Sequence, residues 1–357
     1  MNDKKTDQFI ERKRDHLRLS LLDEVEASER NELSRIELVH DSLPDLNLAQ
    51  VSIESSFLDQ TIATPFFVAG MTAGHEDAAW INSRLAEVAS ERGWILGLGS
   101  QRRELDDAFS DSAVQNLGAR FPNLKLIANL GISQLTELFR THEISKYLFL
   151  AERANASLIA IHLNPLQEAI QSEGTPQFKD SMKALKALVA ATSLPVVVKE
   201  TGSGLSVTTL EKLKPLNLFA VDVSGLGGTH WGRIEGKRAA EDSVSATLGE
   251  TFKNWGVTTV QSVKNAKIIL DSKTEIWASG GVRSGLDAAK LIALGAKRVG
   301  FAKPALQAAL KSSEALNHWM TTVEQELKVA MFCSNSESLQ LLDSSKLEPT
   351  KDSHGPF

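Results

Sequence analysis

Cysteine is almost missing from this chain of 357 residues, Cys333 being the only one. No intramolecular disulfide framework and no cysteine-based zinc cluster can therefore be built. Long apolar runs are missing too: none reaches the ~18 residues of a membrane span, and the first residues, Met1 to Lys5, are polar. Basic charge is in deficit. With 39 Lys and Arg against 45 Asp and Glu, the formal net charge is −6, which argues against a general nucleic-acid binder, whose footprint would be basic. These absences lead us to expect a soluble protein of a reducing, cytoplasmic compartment, with neither nucleic acid nor membrane as partner. What is present, 42% hydrophobic and 24% charged residues, suits one large domain with an extension, or two smaller ones.

From about residue 62 the apolar residues keep a regular beat. Runs of four to six alternate with amphipathic stretches, and predict strands near 66–70, 94–98, 125–130, 157–162, 195–199, 218–223, 275–279 and 297–301. Helices are expected between them, including Ala78–Arg92, Ile144–Asn155, Ser181–Ala191, Thr208–Leu213, Thr258–Asp271 and Gly285–Leu294. Eight strands each followed by helical material fit an α/β fold of the (β/α)8 TIM-barrel type. The small-residue turn Ser279-Gly280-Gly281-Val282-Arg283, followed by a helix, is suited to a phosphate. A second tight turn, Ala302-Lys303-Pro304, stands beside it. Two adjacent strand ends holding one phosphate are a barrel feature of the seventh and eighth strands, which disfavours a doubly wound open sheet. We expect an N-terminal arm over residues 1–60 covering the barrel mouth, the barrel over 61–330, and an extension over 331–357. In that extension Leu339, Leu341 and Leu342 hint at a short helix, and the last residues are expected to be disordered.

Polar residues collect at the C-terminal ends of the expected strands, where such a barrel keeps its active site. His162 and Asn164 are two apart in extended chain, so both should face the axis while Leu163 turns away. Gln167 and Glu168 then fall in a loop above the mouth, where a carboxylate could hold a divalent metal bridging to a diphosphate. Arg12, Lys13 and His16 lie within one helical turn of an expected helix from Asp7 to Leu22. They form either a solvated face or an arm that brings cations to an anionic substrate.

Several spaced motifs resemble the type 2 isopentenyl-diphosphate isomerases, a family of FMN-dependent barrels. They are Arg12-Lys13-x-x-His16, Met71-Thr72-x-Gly74, Ser100-Gln101-Arg102, His162-x-Asn164-x-x-Gln167-Glu168, Gly227-Gly228-Thr229 and Ser279-Gly280-Gly281-Val282-Arg283, and they span the chain from Arg12 to about Met331. The resemblance implies Met71, Thr72 and Ala73 along the flavin ring, with Ser100, Asn129 and Lys199 at its polar edge. It implies Ser224, Thr229, Gly281, Val282, Arg283, Ala302 and Lys303 around the ribityl chain and phosphate. Arg12, Lys13, His16, Gln101, Arg102, His162, Asn164 and Gln167 would surround the small-molecule diphosphate substrate, and Glu168 would bind Mg²⁺. Gln167 and His162 would orient or relay the proton, NADPH would serve only to reduce the FMN, and the chain would assemble as a homo-tetramer or octamer.

Two positions depart from the family pattern: Ala73 stands where a glycine is expected, and His230 where Ser or Asn is usual. Three rivals remain. His230 with Arg233 loosely echoes the His and Arg of a flavin-dependent 2-hydroxy-acid oxidase. A non-catalytic flavin-binding barrel would keep the phosphate turn but has no use for His162, Gln167 and Glu168 together. A nucleotide dehydrogenase of the inosinate type would need a loop cysteine, and Cys333 lies past the last strand.

Overall fold

Side chains that alternate in and out along short apolar strands close this chain into a barrel. The computed structural model describes residues 14–27, 32–72, 76–105 and 116–349. Its eight parallel strands are β1 Phe66–Val68, β2 Ile95–Gly97, β3 Lys125–Gly131, β4 Leu158–His162, β5 Val196–Lys199, β6 Ala220–Asp222, β7 Glu275–Ala278 and β8 Arg298–Phe301. Each pairs with its sequence neighbours, and β8 returns to β1 to complete the closure. All eight expected strands form, most of them trimmed at the ends where residues belong to the turns.

The two faces of each strand bury different cores. Phe67, Ile95, Ile127, Leu158, Ala160, Val197, Ala220 and Trp277 fill the barrel interior. Their neighbours Phe66, Val68, Leu96, Ile159, Ile161, Val196, Val198, Val221 and Val299 join the larger core beneath the helices. Period-two alternation along each strand produces this division. The hairpin Ser55–Phe57 and Gln60–Ile62 closes the N-terminal end of the barrel, placing Phe57 and Ile62 on the interior cluster. There Arg298 is fully buried, 4.8 Å from the Phe57 ring and 3.2 Å from the Glu275 carboxylate. Polar groups therefore end the barrel at both rims, but the lower set is internally paired.

The expected helices Ser181–Ala191 and Gly285–Leu294 have those bounds. The second shows why: Ser284 and Asp287 make a capping box at its start, and Gly295, at φ +118°, stops it. Of the expected Asp7–Leu22 helix, residues 14–20 are helical and residues 7–13 lie outside the described residues. The arm strand Ile36–Leu38 pairs antiparallel with Leu347–Pro349 near the other terminus. The short helix expected near Leu339 is instead a turn, with Leu342 buried in the main core and Leu339 packed against it. Among the described residues no helix is long and apolar enough to cross a membrane.

Candidate active site

Inward parity places the polar strand ends on one rim. Gly131, His162, Lys199 and Asp222 are consecutive partners across β3 to β6. The last three stand two residues beyond the apolar interior positions Ala160, Val197 and Ala220, and Gly131 two beyond the inward Asn129. Above them opens a pocket with about 1570 Å³ of free space, counting its solvent-filled mouth. On one side its lining includes Met71, Thr72, Ser100, Arg102, Asn129, His162, Asn164, Gln167 and Glu168. On the other it includes Lys199, Ser224, Thr229, Gly281, Val282, Arg283, Ala302 and Lys303, and His16 of the arm closes over it. Arg12, Lys13 and Ala73 lie outside the described residues.

Gln101 does not join this set. It is buried, and its Oε1 accepts from the Asn129 amide at 3.1 Å while its own backbone N–H donates to Asn129 O. Its side chain braces β3 rather than facing the pocket, because the backbone pairing at Asn129 turns it inward. Gln167 and Glu168 also differ from expectation: they sit on the short helix Pro165–Ile170, not in a loop. Pro165 begins that helix, and its fixed φ suits the first helical turn.

Hydrogen bonds fix the catalytic candidates. Asn129 Nδ2 donates to Leu98 O at 2.9 Å, so its Oδ1 is turned to His162 Nδ1, also at 2.9 Å. His162 Nδ1 therefore carries the proton, which makes Nε2 the acceptor nitrogen of the ring. Asn164 Nδ2 lies 3.1 Å from Gln167 Oε1 and 3.2 Å from Glu168 Oε1. The other Glu168 oxygen accepts from the Thr175 amide at 2.6 Å. Gln167 Nε2 donates to Glu235 Oε1 at 2.8 Å.

Glu235 is a residue that sequence reasoning missed. Its buried carboxylate also receives His16 Nε2 at 2.9 Å and Arg238 Nη1 at 2.7 Å. Burial by itself would raise its pKa, but these donors outweigh burial and bring it down to about 2. An acid four residues into an unremarkable helix carries no local signal of burial. Asp222 and Glu200 stand among the polar strand ends in the sequence, which assigns them no role. Asp222 accepts from Ser279 Oγ at 2.8 Å, and burial raises its pKa. Burial also pushes Glu200 up to about 7, although Thr201 and Gly202 amides donate to it at 2.6 and 2.7 Å. Burial lowers Lys199, with Asp222 and Glu200 opposing it. The parity that marks Lys199 as inward marks Asp222 equally.

The glycine turn works differently from its sequence reading. Gly280 and Gly281 adopt φ of +100° and +76°. A Cβ on Gly281 would sit 2.5 Å from the Gly227 carbonyl carbon, and one on Gly228 would sit 2.6 Å from Gly281 N. These glycines let the loops after β6 and β7 pack backbone on backbone. The following helix N-terminus is spent internally: the Arg283 and Ser284 amides both donate to Asp287 Oδ2. Charge at this end therefore comes from Arg283 and Lys303.

His230 finds its place here. It is fully buried, caps the helix Trp231–Arg238 through Nδ1 and donates Nε2–H toward Trp255 O at 3.2 Å. Burial lowers its pKa. It is a structural cap and does not line the pocket, which removes the echo of a hydroxy-acid oxidase.

The residues present suit a flavin nucleotide: small side chains where two loops meet, two cations at one end and the half-buried Lys199 at the centre. Among the described residues no group of three His, Cys, Asp or Glu could hold a metal. One pocket carboxylate, Glu168, nonetheless fits Mg²⁺, which takes one or two carboxylates and completes its shell with phosphates and water.

The model of the FMN-dependent dehydrogenase family matches residues 134–349. An isopentenyl-diphosphate delta-isomerase of Legionella pneumophila (strain Corby) is 49% identical over 332 residues, 93% of this chain and 96% of that protein. One from Bdellovibrio bacteriovorus is 44% identical over 351 residues, covering 97% of this chain and 99% of its own. Among solved structures, a mutant flavocytochrome b2 with benzoylformate superposes with a TM-score of 0.68 at 16% identity, covering 94% of this chain and 82% of that one. That likeness concerns the fold alone.

Proposed function

This chain belongs to the isopentenyl-diphosphate delta-isomerases, within the FMN-dependent dehydrogenase family, and we propose that it interconverts isopentenyl diphosphate and dimethylallyl diphosphate with reduced FMN and Mg²⁺. The observation that carries this reading is the grouping of His162, Asn164, Gln167 and Glu168 on one wall of the pocket, opposite Arg283 and Lys303. No hydride leaves or enters in such a reaction. Reduced FMN, when bound, would supply an electron-rich ring able to exchange a proton beside the alkene, and NADPH would serve to reduce it.

The chain's own groups account for the rest. Moving the double bond requires a proton delivered to the terminal alkene carbon, placing positive charge on the central carbon, and another removed from the methylene on that central carbon's other side, in a site from which water is excluded. Gln167 is held by Asn164 and Glu235, so its amide presents a fixed face to the hydrocarbon end. His162, with its tautomer set by Asn129, offers Nε2 as a hydrogen-bond partner. Arg102 and His16, joined by Arg12 and Lys13 as the resemblance implies, would hold the diphosphate. Glu168 would hold its Mg²⁺ and keep the small hydrocarbon positioned through remote binding energy. Homo-oligomeric assembly as a tetramer or octamer belongs to the same proposal.

Gln167→Ala tests this assignment. It should lose most turnover while binding FMN as before; near-unchanged turnover would remove Gln167 from the mechanism.

A further inference from the structure

Two carboxylates of the arm reach the cations at the far end of the pocket. Glu26 Oε2 lies 2.6 Å from Arg283 Nη2, and its Oε1 lies 2.7 Å from Lys303 Nζ. One side chain thus ties the guanidinium to the ammonium. Asp23 Oδ1 lies 2.7 Å from the same Lys303 Nζ.

The two acids are held in different ways. Glu26 forms a backbone bridge with Thr229, and Arg233 Nη1 donates to its carbonyl at 2.9 Å. On either side of it, His230 N donates to Val25 O and Ala27 N to Gly228 O, both at 2.9 Å. Its side chain is only 14% exposed. Asp23 begins the three-residue turn Asp23–Val25, and its side chain is 97% exposed.

We infer that Glu26 is a positioning residue that fixes Arg283 and Lys303 to receive the phosphate of the flavin nucleotide, whereas Asp23 is an exchangeable counter-ion that yields Lys303 to that phosphate. The inference rests on the flavin reading given above. Two cations and two carboxylates sum to no net charge, so Coulomb's law alone would have either substitution tighten a dianion. Geometry reverses the sign for Glu26. Without it the two cations repel each other, and both long side chains regain rotamer freedom that binding must then remove. Asp23 sits in water, where an ion pair is screened and costs little to break. The arm segment that braces the cations follows, ten residues on, from His16 at the other end of the pocket, so one segment would set both ends.

Titration of the flavin-free full-length protein with FMN and with riboflavin, followed by flavin fluorescence, separates these effects. Glu26→Gln should weaken FMN about tenfold, since charge-assisted contacts to both cations are lost, and leave riboflavin within about twofold. Asp23→Asn should tighten FMN about twofold at low salt, lose that gain at high salt, and leave riboflavin unchanged. Tighter FMN binding by the Glu26→Gln protein would overturn the bracing role in favour of simple charge. Equal weakening of both flavins would overturn it in favour of general loop damage. If Glu26→Gln does not fold, Asp23→Asn still decides, because unchanged or weaker FMN binding contradicts an exchangeable counter-ion. Failure of the unaltered chain to bind either flavin would instead overturn the flavin reading itself.

Discussion

Replacing Glu235 with glutamine removes one charge from the buried carboxylate that ties His16, Gln167 and Arg238 together. In the folded chain three donors, His16, Gln167 and Arg238, bring this carboxyl to about 2, against an ordinary value of 4.5. That gap corresponds to ~3 kcal/mol of folded-state preference for the charged form. Because the folded pKa is the lower one, the stabilisation is complete above 4.5 and is lost as pH falls toward 2. Glu235→Gln should therefore be less stable by ~3 kcal/mol at pH 7, with the difference more than halved by about pH 3. Urea unfolding followed by tryptophan fluorescence measures it, and Trp231 reports locally because its ring lies 5.1 Å from His16. A difference that is small at pH 7, or that stays constant down to pH 3, would refute the charge-based reasoning.

Other outcomes follow from the same geometry. Gly281→Ala should cost ~1–3 kcal/mol for a strained φ and loosen FMN as well, since the added methyl meets the Gly227 carbonyl; thermal unfolding and a flavin titration read both. Glu168→Gln should raise the Mg²⁺ concentration needed for turnover, and an unchanged Mg²⁺ titration would remove Glu168 as ligand. Glu200, raised to about 7 from 4.5 by burial, contributes stability that is present below 4.5 and lost as pH rises through 7. Urea midpoints at pH 5 and pH 8 should accordingly differ less in Glu200→Gln than in the unaltered chain.

The barrel was legible because its strands are buried on both faces and so read as apolar runs, with polar residues returning at inward positions. That parity places Asn129, His162 and Lys199 without any tertiary information. The paired cradle after β6 and β7 was half legible: the glycines marked a close approach, but not that each loop's neighbour was the other loop. Glu235, Asp23 and Glu26 were not legible. Apart from Arg238, the partners in question lie 68 to 280 residues away. Packing of the helix Pro165–Ile170 against Trp231–Arg238 brings Gln167 to Glu235, and packing of the arm against the loops after β7 and β8 brings Glu26 and Asp23 to their cations. His230 misled for a related reason, since a histidine spent on capping a helix has the same letter as a catalytic one.

The most direct test of the account is conversion of labelled isopentenyl diphosphate under nitrogen with FMN and Mg²⁺, with and without dithionite or NADPH. Dimethylallyl diphosphate should appear only when the flavin is reduced. Equal product with oxidised flavin, or tight FMN binding with no product under any of these conditions, would contradict it.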